Sequence, residues 1–97
     1  MISVIELPFN QHLGIQIAND PSKVLQLPAG GQYLNHLGTV HASAQLALAE
    51  ASSGEFLLRA MGDMQGIVPV VRRLEYDETK AHTLSASVEW FVTRAQV

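Results

Sequence analysis

The cleanest alternation of apolar and polar positions lies near the end of the chain. Leu84, Ala86, Val88, Trp90 and Val92 alternate with Ser85, Ser87, Glu89, Phe91 and Thr93, which is the period of a β-strand. Upstream, Val68, Val70, Leu74 and Tyr76 share one face of a second predicted strand, with Arg72 interrupting. Pro69 cannot donate to a ladder, so that strand starts there or lies at an edge or a bulge. Asp77-Glu78-Thr79-Lys80 supplies the turn between them. Residues 41–61 are different in kind. They are good helix formers, without Pro or a long β-branched run, and predict one long helix. Glu55 and Arg59 make a favourable i,i+4 pair on it. Much of its surface is small: Ala42, Ser43, Ala44, Ala47, Ala49, Ala51, Ser52, Ser53 and Gly54. Gly54 costs about 1 kcal/mol against Ala in mid-helix, so close packing against another surface is expected there. This is the pattern of a buried central helix.

The first 31 residues predict a short helix near 6–12 and two strands, 13–18 and 23–27. Asn19-Asp20-Pro21-Ser22 joins the strands as a turn, and Pro28-Ala29-Gly30-Gly31 ends the second. The order is ββ–α–ββ. A long helix against antiparallel strands is an α+β fold, and 97 residues make one domain.

Composition narrows the function classes. Hydrophobic residues are 47% and charged residues 15%, the opposite balance to a disordered chain. The net charge of −3, with no run of Lys or Arg, argues against a nucleic-acid partner. There is no cysteine, which excludes disulfides and thiolate metal sites and points to a reducing cytoplasm. No apolar run approaches the roughly 20 residues of a membrane span. Met1-Ile2-Ser3-Val4-Ile5-Glu6 has no basic region, so no signal peptide is expected. A chain this short buries a thin core, and oligomerisation is the working expectation.

The densest polar cluster is Asn35-His36-Leu37-Gly38-Thr39-Val40-His41, just before the long helix. Free backbone N–H groups and the positive end of the helix dipole meet there, and together they can hold an oxyanion or a carbonyl oxygen. Turn and capping residues would give the same sequence. Glu50 is the second feature. Its helical neighbours Leu46, Ala47, Ser53, Gly54 and Leu57 form a small, apolar stripe on which a carboxylate is costly unless satisfied. Such groups serve as bases or nucleophiles; the alternative is an ion pair with Arg72 or Arg73, or a wet gap. His41 and Glu50 are nine residues apart, about two and a half turns and roughly 13 Å along the axis. They fall on opposite sides of the helix, so joint action on one substrate needs two chains. His12 and His82 read as surface residues. The histidines lack HxH or HxxxH spacing, and no P-loop, GxSxG or dinucleotide fingerprint occurs. Arg72 and Arg73 face opposite ways on a strand, and a structural salt bridge is the expected role.

Asn35-x-x-Gly38-Thr39-x-His41, followed by a small-residue helix carrying Glu50, resembles the hotdog-fold acyl-CoA thioesterases of the phenylacetic-acid-pathway (PaaI-like) type. The fit is closest to a branch known only as a domain of unknown function. The family's Asn-x-x-Gly-x-x-His-Gly-Gly motif is followed by an acidic residue nine positions after the His, as Glu50 follows His41. The resemblance implies a long central helix wrapped by a curved antiparallel sheet, assembled as a homodimer or homotetramer. It implies hydrolysis of an acyl-CoA or other acyl thioester without a metal or cofactor. Glu50 would be the base or nucleophile, with Asn35 positioning water or substrate and His41 beside them. Gly38, Thr39, Ala42 and Ser43 would line the substrate, with the Ala42 N–H polarising the thioester oxygen. The groups would come from two subunits. Three departures stand out. His-Gly-Gly is His41-Ala42-Ser43, Ile67 or Val68 replaces a polar residue after the helix, and a strand pair is missing from the usual set. The likeness runs from about residue 13 to 74. The alternative functions are a non-catalytic acyl-binding or structural hotdog domain, and a hotdog dehydratase.

Overall fold

The computed structural model describes residues 3–62, 67–78 and 84–94. It opens with a 3-10 turn, Val4–Glu6, closed by a reciprocal cap. The Ser3 hydroxyl accepts from the Ile5 N–H, and the Glu6 carboxylate accepts from the Ser3 N–H at 3.3 Å. Helix α1, Pro8–Leu13, follows, with Pro at its first position. Gly14 ends it in a left-handed conformation (φ 76°), donating to the carbonyls of Asn10 and Gln11. The sequence places this short helix at 6–12, and Pro8 sets its true start.

Strands β1, Gln16–Ile17, and β2, Leu25–Gln26, pair antiparallel, with Gln16 opposite Gln26. The predicted hairpin is present, but its regular pairing is shorter than 13–18 and 23–27. Its turn is held by Asp20, whose Oδ1 accepts from both the N–H and the hydroxyl of Ser22 at 2.9 and 2.8 Å. Helix α2, Ala42–Met61, is the predicted long helix. Ala44, Ala51, Gly54 and Glu55 are its buried residues. Positions 44, 51 and 55 recur at helical spacing and define the inward stripe. Val4, Ile15, Leu25 and Ala51 form the core, flanked by Ile5, Leu13, Val24, Leu27, Leu48 and Leu58. The core therefore lies between α2 and the first third of the chain.

Strands β3, Ile67–Glu78, and β4, Leu84–Arg94, form a long antiparallel ribbon. The β3 strand runs into the expected turn, as far as Glu78; Thr79, Lys80 and His82 lie outside the described residues. A register shift between Val71 and Arg73 marks a bulge. It corrects the expected face of β3. Before the bulge Pro69 and Val71 are half-buried while Val68 and Val70 are exposed; after it Leu74 is the half-buried residue. One extra residue inverts the alternation, so Val68, Val70, Leu74 and Tyr76 do not share a face. The bulge also leaves both arginines exposed. Arg72 reaches Glu89 at 3.5 Å and Arg73 reaches Glu75 at 3.3 Å, so the expected salt bridges exist without involving Glu50.

The ribbon meets the rest of the protein through Trp90. Its indole N–H donates to the Ser53 hydroxyl at 2.9 Å, and its ring packs on Gly54. The result is an α+β fold with one long helix and two small antiparallel sheets, β1-β2 and β3-β4, which are not joined to each other among the described residues. None of the described helices is long and apolar enough to cross a membrane.

Candidate functional site

The loop between Leu34 and Val40 is a small closed turn bridged at its ends by those two residues. Asn35 holds it together. Its Oδ1 accepts from the N–H groups of Leu37 at 2.9 Å and Thr39 at 3.2 Å, and its Nδ2 donates to the Thr39 hydroxyl at 2.9 Å. Its own N–H donates to the Thr39 carbonyl at 2.8 Å. Gly38 completes the turn at φ 78°, a conformation that suits glycine and leaves open space around the position. His36 and Leu37 stand exposed at the tip.

The turn delivers the chain to α2. The His41 N–H donates to the Tyr33 carbonyl at 2.7 Å, which fixes where the helix begins. His41 is the N-cap residue: its Nδ1 accepts from the Ser43 N–H at 3.0 Å, an arrangement that requires Nδ1 to be unprotonated. The Ala44 and Gln45 N–H groups both donate to the His41 carbonyl. The Ala42 N–H has no hydrogen-bond partner among the described residues. It is an open donor at the positive end of a 20-residue helix.

Leu34 and Val40 also line an open groove of about 580 Å³. Its other walls are Leu27, Pro28, Ala29, Gly30, Gly31 and Tyr33, so the lining carries almost no polar side chains. The Tyr33 hydroxyl turns away to donate to the Leu13 carbonyl. None of these residues except Val40 stood out in the sequence. Their signal was the Pro28-Ala29-Gly30-Gly31 run, which reads as a strand end and also leaves a wall without bulky side chains.

Of the two positions open to Glu50, the structure shows the wet one. It is exposed in the single chain, and none of the described hydrogen bonds or ion pairs engages its carboxylate. The buried carboxylate of α2 is Glu55, 5% exposed, whose two oxygens accept from the Ser3 hydroxyl at 3.0 and 2.8 Å. The reason is angular. Glu55 falls about 40° around the helix from buried Ala51, whereas Glu50 falls about 100° away. Sequence reasoning missed Glu55 because its pairing with Arg59 placed it on the surface. The spacing of Ala44, Ala51 and Glu55 was the signal available.

Asn35, Gly38, Thr39, His41, Ala42 and Ser43 are thus brought together at the start of α2, while Glu50 stands further along it. His41 and Glu50 do not meet within one chain. His12 is exposed. Among the described residues no group of three His, Asp or Glu side chains is placed to hold a metal ion. Comparisons with protein-family models, with curated proteins and with solved structures give no significant match.

Proposed function

We propose that this chain is a hotdog-type domain that hydrolyses an acyl thioester, an acyl-CoA or the equivalent carrier-protein conjugate. The observation that carries the reading is the open Ala42 N–H at the start of α2, two residues after Val40 of a groove with apolar walls. A thioester places a polar carbonyl next to a long apolar chain. The helix N-terminus matches the carbonyl. The groove falls in the range of small-ligand sites and matches the chain. Val40 belongs to the groove and directly precedes His41, so the two features adjoin in sequence.

Hydrolysis needs a base near the carbonyl. Glu50 is accessible and uncommitted, and the nine-residue offset assigns it to the site of the opposite copy. Glu50 of the partner subunit takes a proton from water as the water oxygen adds to the carbonyl carbon. The oxyanion is held by the Ala42 N–H. Collapse breaks the C–S bond, the proton passes to the departing sulfur, and a carboxylic acid and a thiol leave. Asn35 keeps one Nδ2 hydrogen beyond its bond to Thr39, and that hydrogen can orient water.

A second reading has its own support. Asn35 and His41 spend side-chain atoms on the turn and the cap, as a non-catalytic acyl-binding domain would also require. Release of free thiol from a panel of acyl-CoA esters separates the two. Turnover supports hydrolysis, and saturable binding of acyl-CoA without thiol release supports the binding domain.

A further inference from the structure

The wall of the groove restricts what can lie in it. Seven of the eight described residues that line it carry no polar side-chain atom. The eighth is Tyr33, a buried residue whose hydroxyl is engaged elsewhere, donating to the Leu13 carbonyl. Gly14 makes room for it there: a Cβ at position 14 would lie 2.9 Å from the Tyr33 oxygen. No side chain of the wall is therefore available to a hydroxyl, carboxylate or amine on a bound group, and burying such a group unpaired is costly. Leu34 and Val40, 48% and 44% exposed, bridge each other and both line the groove. An apolar occupant removes their surface from water.

One position of the wall controls its room. Gly31 lines the groove, and a Cβ there would meet no atom within 4 Å. Its backbone lies outside the left-handed region, so a residue with a side chain fits without strain. The chain on either side is pinned: the Tyr33 N–H donates to the Gly30 carbonyl and the Leu34 N–H to the Gly31 carbonyl. Glycine at position 31 is thus not demanded by the turn, and what it supplies is open volume. At about 30 Å³ for a group the size of a water molecule, the 580 Å³ groove holds roughly twenty such groups. An acetyl or propionyl group leaves most of it empty.

We infer that the groove selects a plain hydrocarbon acyl group of medium or long chain, and that Gly31 sets how much of that chain it accepts. The thioester end of this assignment rests on the reading above; the chain end rests on the wall alone. The chain enters past Val40, the lining residue nearest in sequence to the Ala42 N–H. Each methylene that leaves water adds up to about fourfold in affinity. A hydroxyl or carboxylate at the far end of the chain loses water and gains no side-chain partner, so hydroxylated and dicarboxylic acyl groups are disfavoured.

Calorimetric titration of the full chain with S-alkyl-CoA thioethers, which cannot be hydrolysed, tests it, with the matching acyl-CoA esters assayed in parallel for thiol release. Between about four and twelve carbons, wild-type affinity should rise about twofold or more per methylene. A terminal hydroxyl or carboxylate on the longest chain should weaken binding about tenfold or more. Gly31→Leu fills the groove and should weaken the longest thioether about tenfold or more, with the shortest changed less than about twofold. Leu34→Gln puts an amide on the wall and should weaken the longest about tenfold. Both positions are exposed, and wild-type Trp90 emission checks that each variant folds; if one does not, the other decides. No binding, affinity independent of chain length, terminal hydroxyls bound as well as plain chains, or a folded Gly31→Leu that holds the longest chain as tightly as wild type each overturns the inference. Chain-dependent binding without thiol release leaves the chain site standing and removes the hydrolytic reading. Thiol release without chain-length preference does the reverse.

Discussion

Trp90 packs on Gly54 closely enough that a Cβ at position 54 would lie 3.2 Å from both Cζ2 and Cη2 of the indole and 3.5 Å from Cγ1 of Val4. A glycine in the middle of α2 is thereby explained: its propensity cost of about 1 kcal/mol is offset by contact between the ribbon and the helix. Gly54→Ala recovers the propensity but overpacks the contact, at about 1–3 kcal/mol. The ring is rigid and anchored through Ser53, so the net change is a loss of up to about 2 kcal/mol with a shift in Trp90 emission. Chemical denaturation followed by fluorescence measures both. A clear gain in stability with unchanged emission would contradict the contact.

Glu55 is buried against the N-terminal segment and accepts from the Ser3 hydroxyl, which also caps the first turn. Ser3→Ala leaves a buried carboxylate without that donor and should cost about 1–3 kcal/mol. Replacing both partners with apolar residues, Ser3→Ala with Glu55→Leu, should recover most of that loss. A double-mutant cycle by urea denaturation reads the coupling. Strict additivity would mean that the Ser3–Glu55 bond adds nothing.

Much of this architecture was legible in the sequence because it depends on local signals. Helix formers without Pro marked α2 to within one residue. The Asn19-Asp20-Pro21-Ser22 turn located the first hairpin, and strict alternation located β4. The β3 face was misread because a bulge needs only one extra residue, and nothing at Val71-Arg72-Arg73 announces it. The small neighbours of Glu50 leave a buried stripe and a wet gap both open, because burial depends on which face meets the core; Ala51 settles that, and Glu50 falls on the wet side. The loop from Asn35 to His41 was legible as a turn and cap, and the structure supplies those bonds. The groove beside it was not, since its walls come from backbone and small residues shaped by tertiary contacts.

Asn35 has two separable duties. Asn35→Asp keeps the oxygen acceptor for Leu37 and Thr39 and removes the Nδ2 donor. The turn should survive with a stability loss near 1 kcal/mol, while thioester turnover should fall about tenfold or more if Nδ2 orients water. Asn35→Ala should lose both, at about 1–3 kcal/mol. Thermal denaturation alongside kcat distinguishes them. Equal turnover for wild type and Asn35→Asp would restrict Asn35 to holding the turn.

Asp20 gives the pH dependence its sign. The Ser22 N–H, then the Ser22 hydroxyl, hold its carboxyl below the ordinary value, aided by Lys23 and slightly opposed by desolvation. A depressed folded value means that the stabilisation is present above the ordinary carboxylate range and is lost as pH falls through the depressed value. The stability difference between wild type and Asp20→Ala should therefore shrink between about pH 5 and pH 2. Urea midpoints across that range measure it. A difference that grows on acidification would reverse the assignment.

Glu50→Gln is the most direct test of the proposed chemistry. Glu50 is exposed in the single chain, so the substitution should leave folding within about 0.5 kcal/mol of wild type, with the oligomeric state unchanged. Free-thiol release from the acyl-CoA ester that wild type turns over fastest should fall about 10²–10⁴-fold, as for a lost general base. Near-wild-type thiol release by a correctly assembled Glu50→Gln protein would contradict the role of this carboxylate in thioester hydrolysis.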